Sequence, residues 1–435
     1  MSYEISKFEV LKLGPNASIQ PGFAFKSERF TDNENDTPLV KGENVHQGYI
    51  DWLGAKRWPR DECEPFAKYH LAIGDIVLAM DRPWVTAGLK WSFIKPHDPK
   101  SLLVQRVARL RAKGKLDQTY LRHVISSNYF ANYLQPIVTG VNVPHISGKQ
   151  IGDFRIPIPD LLTQRKIAAI LTAYDDLIEA NKRRIALLEK MAEELYREWF
   201  VRMRFPGHQN TRFVKGVPAG WEVAALNDFC EKVTDGTHDT PKPADSGHLL
   251  ITGKNIRNHQ VDFTGAYFIS EKDHREISKR SGLKEWDILY SNIGTIGQTA
   301  IVGASPDYSV KNVIIFRPRN AHDSLFLFHV LKNPAISEHL LAMSSGASQQ
   351  FIGLGTAREF KILTPNPTEI EMFGQTVSKL YEQRSSLIVT NQILDSLRDL
   401  LLPRLISGQL SVEDLDIRFP PSMCKGAAEP EATHA

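Results

Sequence analysis

Two stretches decide the reading of this chain: VQRVARLRAKGKLDQTYLRHVI, residues 104–125, and VKNVIIFRPRNAHDSLFLFHVL, residues 310–331. They lie 206 positions apart, and the match extends without a gap from residues 102–160 onto 308–366. Thirteen of those 59 positions are identical, where average composition gives about four by chance. Val104, Val107 and Arg111 meet Val310, Val313 and Arg317, while Leu121, His123 and Val124 meet Leu327, His329 and Val330. Gly140 and Ile146 meet Gly346 and Ile352, and Phe154, Ile156 and Pro159 meet Phe360, Ile362 and Pro365. Upstream the offset drifts to 211–213, as loop-length changes would cause: Gly42 and Asn44 match Gly253 and Asn255, and Asp75 matches Asp287. The chain is therefore a unit of about 205–213 residues, written twice.

Each copy has the same internal order. Short runs such as Ile73–Leu78 and Trp286–Tyr290, punctuated by Gly, Pro, Asn and Asp, predict a β-rich globular part. One helix follows, over about 117–134 and 323–341, then a polar loop and an extended Pro-containing strand. A long helix closes each copy, over about 161–202 and 369–406. Its apolar residues recur at three-and-four spacing: Ile170, Tyr174, Leu177, Leu188, Met191 and Leu195, and again Phe373, Leu380, Leu387, Leu394, Leu397 and Leu401. Forty residues of helix reach about 60 Å, longer than a small domain is wide, so the pattern predicts a coiled-coil seam in which the two helices pack antiparallel. The expected fold class is α+β: two β-rich α/β domains separated by two long antiparallel helices, with a pseudo-twofold internal repeat. The expected bounds are 1–160, 161–210, 211–368, 369–410 and a tail, 411–435, whose five acidic and two basic residues read as disordered.

Composition narrows the function. The 435 residues are 42% hydrophobic and 24% charged, enough for several cores. No apolar run reaches the length of a membrane span, and residues 1–30 show no signal peptide. Cys63, Cys230 and Cys424 lie far apart, which excludes a disulfide framework and a cysteine zinc site and fits a reducing cytoplasm. The net charge of +3 permits nucleic-acid binding without arguing for it. The sequence holds no GxxxxGK, GxGxxG, HExxH or GxSxG motif. No metal site and no cofactor are expected. A binding subunit is favoured over an enzyme. A single-chain nuclease built on the Asp175, Asp176 and Glu179 cluster, or a coiled-coil protein adaptor, are the alternatives.

At this point the layout resembles the specificity (S) subunit of Type I restriction–modification enzymes, over residues 1 to about 412. The resemblance rests on the order domain, long helix, domain, long helix. It rests also on the phrases QRKIA at 164–168, IALLEK at 185–190 and LLLPRLISGQL at 400–410, and on Asp235-Gly236-Thr237-His238 followed by Pro241. The first copy lacks a clear Asp-Gly-Thr-His counterpart near Pro15–Phe23. The resemblance implies that each domain is a target recognition domain reading half of a split double-stranded DNA sequence. It implies that two modification (adenine methyltransferase) subunits dock on the helices and that restriction/translocase subunits join them. The whole would act in phage defence, in the cytoplasm and away from membranes, and this chain would carry no catalysis.

DNA readout needs Arg, Lys, Asn, Gln, Ser or Thr at base edges and basic or backbone donors at phosphates. The candidates are Arg82, Thr86, Arg106, Arg109 and Asn142 in the first copy and Thr237, His238, Asn292, Thr295, Gln298, Ser348 and Gln349 in the second. The loop 291–298 carries glycines that allow close approach to phosphates; a plain turn is the alternative. Arg106, Arg109 and Arg111 alternate along a strand that is either DNA-lining or a solvated face. Asn44 and Asn255 read as turn formers, and His123 and His329 as packing residues. Tyr196, Trp199 and Phe200 read as a partner-docking patch or as burial under the second domain. Residues 1–155 hold 21 basic and 16 acidic residues and residues 211–365 hold 17 and 16, so the chain's own DNA affinity is expected to be modest.

Overall fold

The computed structural model describes residues 7–85, 88–138, 144–346 and 350–423. Its contacts divide the chain into two units, Met1–Asn181 with Val389–Ala435, and Lys182–Ile388. In unit 1 the central strands are β1 (Ala17–Pro21), β2 (Thr37–Val40), β3 (Ile76–Ala79), β4 (Trp91–Phe93), β5 (Leu102–Leu103) and β6 (Val107–Ala112), with shorter strands around them. An antiparallel sheet runs β1-β6-β3-β4, and β2 pairs with β5 in parallel. Residues of β3 alternate between two cores, as strand geometry requires. Ile76 and Leu78 enter a core with Tyr120, Phe130 and Phe154, while Val77 enters another with Val40, Leu103 and Val107. All four β3 residues are buried, so the run is apolar throughout rather than alternating.

Unit 2 repeats this plan. Its central strands are β7 (Cys230–Asp235), β8 (His248–Thr252), β9 (Ile288–Ser291), β10 (Thr299–Ile301), β11 (Tyr308–Lys311) and β12 (Val313–Pro318), with shorter strands around them. The sheet runs β7-β12-β9-β10, and β8 pairs with β11 in parallel. Ile288 and Tyr290 enter one core with Phe316, and Leu289 another with Ile251 and Val310. The matched Asp and Arg form the same pair twice: Arg111 binds Asp75, and Arg317 binds the fully buried Asp287 at 2.7 and 2.6 Å. Asn44 and Asn255 each accept the backbone N–H three residues upstream, at 2.8 and 3.1 Å, which confirms them as turn formers.

The single helix expected in each copy is two helices. Unit 1 has α1 (Gln118–Ser126) and α2 (Asn128–Val138), and unit 2 has α3 (Glu271–Ser281) before its pair, α4 (Ala321–Lys332) and α5 (Pro334–Ala342). The breaks fall at Ser127 and Asn333, which take extended backbone. Asn333 accepts the Ala335 N–H at 3.1 Å, and Pro334 opens α5 where a missing N–H costs nothing. His123 and His329 are 2% exposed, and burial holds both imidazoles below their ordinary range.

The long helices are Leu161–Tyr196, continued by a π turn over Arg197–Val201, and Pro367–Ser407. Within unit 1 their segments run antiparallel: Asp175 pairs with Arg398 at 3.0 Å and Asn181 with Asn391 at 2.9 Å. Within unit 2 they do so again, with Glu189 paired to Arg384 and Tyr196 against Phe373. The inner faces of the helices are core, not a separate layer: Leu402, Leu405 and Ile406 join the unit 1 core, and Ala192, Val377 and Tyr381 that of unit 2. The expectation of disorder from residue 411 fails over 411–423. Val412 is 1% exposed, Ile417 and Met423 pack on the unit 1 core, and Lys166 Nζ donates to the Glu413 carbonyl at 2.6 Å. Among the described residues no helix is long and apolar enough to cross a membrane.

Candidate nucleic-acid interface

One end of each four-stranded sheet gathers the polar loops. In unit 2, β7 ends at Asp235, β9 ends at Ser291 and β12 begins at Val313, and the register sets these three side by side: Asp235 opposite Ile314, Ser291 opposite Val313. The loop Asp235-Gly236-Thr237-His238 therefore lies beside the turn Lys311-Asn312. The Gly236 N–H bonds the Val313 carbonyl at 3.0 Å, the Thr237 N–H bonds that of Val310 at 3.0 Å, and the Asn312 N–H bonds that of Thr237 at 3.1 Å. Buried Asp235 bridges Arg280 and His238 Nε2, the latter at 2.9 Å, while His238 Nδ1 lies 3.1 Å from Asn312 Oδ1. The ring of His238 is 59% exposed, held from both nitrogens yet open to a ligand.

The loop 291–298 stands at the same end. The Ser291 hydroxyl donates to the Thr295 carbonyl and accepts the Gln298 N–H at 2.9 Å, and the Gly297 N–H closes on the Ser291 carbonyl at 3.0 Å. Gly294 and Gly297 take φ of 76° and 93°, which glycine adopts freely. Thr295 and Gln298 are left exposed.

Unit 1 builds its sheet end from different side chains. Here β3 runs into Met80-Asp81-Arg82, and β6 is preceded by Arg106. The Met80 N–H bonds the Arg106 carbonyl at 2.8 Å, and the Arg82 N–H bonds that of Pro144 at 2.9 Å. Asp81 binds both Arg106 and His145. Burial pushes the Asp81 carboxyl up, but the bonds from His145 and Arg106 outweigh it and hold it below the ordinary carboxylate range. Arg106, His145 and Arg82 are exposed cations or donors at this end. Arg82 and Arg106 have positive φ, 42° and 67°, and their counterparts Gly294 and Asn312 do as well. The backbone is conserved between the copies while its chemistry is changed.

The family model for the Type I restriction modification DNA specificity domain matches residues 5–190 and again 218–393. The chain belongs to this family. Among curated relatives, the Type I restriction enzyme MjaIX specificity subunit of Methanocaldococcus jannaschii is 26% identical over 310 residues, 68% of this chain and 70% of the relative. The EcoBI specificity subunit of Escherichia coli is 21% identical over 420 residues, 91% of this chain and 85% of that one. The crystal structure of the S subunit of a Type I restriction-modification system from M. genitalium aligns with a TM-score of 0.54 at 14% identity, covering 93% of this chain and 97% of that chain. That structure supports the fold alone; the family rests on the double match.

The placement of the family's candidate residues is mixed. Arg82, Arg106, Thr237, His238, Thr295 and Gln298 reach the sheet ends. Arg109 does not: it is 6% exposed and donates to Gln20 and to the carbonyls of Lys68 and His70 at 3.1 and 3.2 Å, because its strand position faces the unit interior. Asn292 is 7% exposed and its amide donates to the Ile352 carbonyl at 3.1 Å, so it fastens the loop instead of presenting it. Thr86, Asn142, Ser348 and Gln349 lie outside the described residues. Tyr196 and Phe200 are each 7% exposed, ringed by Phe326, Phe373 and Trp221, and Trp199 packs on the same cluster, so these aromatics are unit 2 core rather than a free docking patch. Asp175 is paired with Arg122 and Arg398, and Asp176 accepts from Ser422, so this carboxylate cluster serves packing.

The first copy does have a counterpart of the Asp-Gly-Thr-His loop, which sequence comparison missed. It is Pro21-Gly22-Phe23-Ala24. The Gly22 N–H bonds the Val107 carbonyl at 3.0 Å, as Gly236 bonds Val313. A Cβ on Gly22 would sit 2.2 Å from the Val104 carbonyl oxygen, and one on Gly236 2.1 Å from that of Val310. Only the glycine is kept, since only the glycine is demanded by backbone contact. Lys311, Asn312 and Arg280 were also missed; the one sequence signal for Lys311 and Asn312 is adjacency to the repeated strands.

Proposed function

We propose that this chain reads a bipartite double-stranded DNA target for a Type I restriction–modification complex, each copy of the repeat contacting one half-site through its sheet end. Residues 1–160 and 211–368 are the recognition modules, and 161–210 and 369–410 the helical frame that sets their spacing and carries two modification subunits, with restriction subunits joining the assembly. The observation that carries this reading is the repeated sheet end, built on one backbone and furnished with different donors: Arg82, Arg106 and His145 in one copy, Thr237, His238, Thr295 and Gln298 in the other. Identical frames with unlike side chains suit two unlike half-sites. The chemistry of methylation and cleavage belongs to the partners, and the setting is cytoplasmic phage defence. Mapping methylated adenines in DNA from cells expressing this chain with its modification subunit tests the proposal. A split motif with a fixed gap is expected; a continuous motif would refute it.

A further inference from the structure

Away from the sheet ends, one group of metal-ligating side chains converges in unit 2. His248 opens β8, Asp307 immediately precedes β11, and Glu271 and His274 stand on the first turn of α3. His248 Nδ1 lies 2.5 Å from Asp307 Oδ1, and its Nε2 2.5 Å from Glu271 Oε2. The His274 ring lies nearly parallel to it, centroids 3.8 Å apart and 12° between planes. One potential ligand atom from each of His248, His274 and Asp307 falls within 4.8 Å of the others. The Ser309 hydroxyl sits 2.9 Å from His274 Nδ1, the kind of outer contact that fixes a ligating imidazole. These residues are 26 and 33 positions apart from one another in sequence, so no spacing motif announces them.

We propose that His248, His274 and Asp307 bind a divalent transition metal of the zinc class, with Nε2 of His248 held by Glu271 as its outer contact. Two imidazoles with one carboxylate, and water in the fourth position, suit zinc, whereas magnesium and calcium take all-oxygen shells. Metal–ligand bonds of about 2.0–2.2 Å separate tetrahedral ligand atoms by roughly 3.3 Å. Reaching that spacing takes side-chain rotation, in which the Asp307 carboxylate, 77% exposed, exchanges its contact with His248 for the metal. Chemically the ion is a staple. It ties β8, the segment before β11 and the start of α3 together, and the last turn of α3 carries Arg280, which holds Asp235 of the recognition loop. In unit 1 the 3-10 turns Arg60–Glu62 and Glu64–Tyr69 stand where unit 2 has α3, and Ser101 aligns with Asp307, so the site belongs to the second copy alone.

The test is titration of Co²⁺ into the untagged, chelator-stripped full chain, followed by visible spectroscopy. One equivalent with d–d absorption, displaced by Zn²⁺, is expected, together with a rise in Tm on loading. His274→Ala should weaken binding at least roughly tenfold. Asp307→Asn, at a position 77% exposed, should do the same and keep the wild-type circular dichroism. No saturable binding by the wild type, or equal stoichiometry and spectrum in both variants, would overturn the proposal.

Discussion

Gly236 and Gly22 show how far a single atom matters. A methyl group at either would press on a carbonyl oxygen of the neighbouring strand at 2.1–2.2 Å, and backbone cannot step aside as a side chain tip can. Gly236→Ala should destabilise the chain by about 1–3 kcal/mol or more and weaken DNA binding by the assembled complex. Gly42→Ala, which meets nothing within 4 Å, should do neither; equal denaturation midpoints for the two variants would contradict the close-approach argument. Arg106 makes the complementary case. It takes φ of 67° where its counterpart Asn312 takes 52°, a region that asparagine tolerates better than arginine. Arg106→Asn should leave stability level or raised by up to about 1 kcal/mol. If Arg106 neutralises a phosphate, the slope of log K against log salt should fall by about 0.9, read by DNA titrations of wild-type and variant complexes at graded salt. An unchanged slope would remove Arg106 from the interface.

Elements were legible in the sequence in proportion to how local their causes are. The duplicated strands, the long helices and the Asn44/Asn255 turns follow from period, apolar runs and short side-chain caps. The break at Ser127 and Asn333 was hidden because both helices keep an apolar face through it, and the packed segment 411–423 because its few apolar residues are diluted among charges. Side-chain direction was hardest at the strand's start: Arg106 takes φ of 67° just before β6, so it stands in a turn and not on the strand with Arg109. Buried polar groups carry the testable energetics at this scale. Asn181 and Asn391, 2% and 8% exposed, bond each other at 2.9 Å inside unit 1. Asn391→Leu should cost about 1–3 kcal/mol by leaving the Asn181 amide unpaired, and the double Leu variant should regain most of it; a double variant no more stable than the single would show that the pair itself is not the cause. In unit 2, burial, with Lys332 and His259 adding to it, pushes His329 down to about 3. Unfolded, that imidazole titrates near 6.5. Between these values the unfolded chain binds the extra proton, so stability falls as pH drops below about 6.5. Chemical denaturation at stepped pH should show this slope, and His329→Phe should flatten it by up to roughly 1.4 kcal/mol per pH unit. A slope identical in the variant would contradict the assignment.

For the whole molecule, the repeat explains why one chain can serve a two-part target: each unit owns a complete core, and its share of the long helices is part of that core. Such units should be exchangeable without loss of fold. How the sequence of a half-site is chosen was not legible, because readout depends on loops whose side chains, Arg82 and Arg106 against Gly294 and Asn312, share a backbone and nothing else. The same independence makes the account easy to break. Residues 1–155 are replaced by the corresponding domain of another family member, the chimera is expressed with its modification subunit, and methylated adenines are mapped across the host genome. One half of the split motif is expected to change while the other half stays as it was. A change in both halves, or in neither, would contradict it.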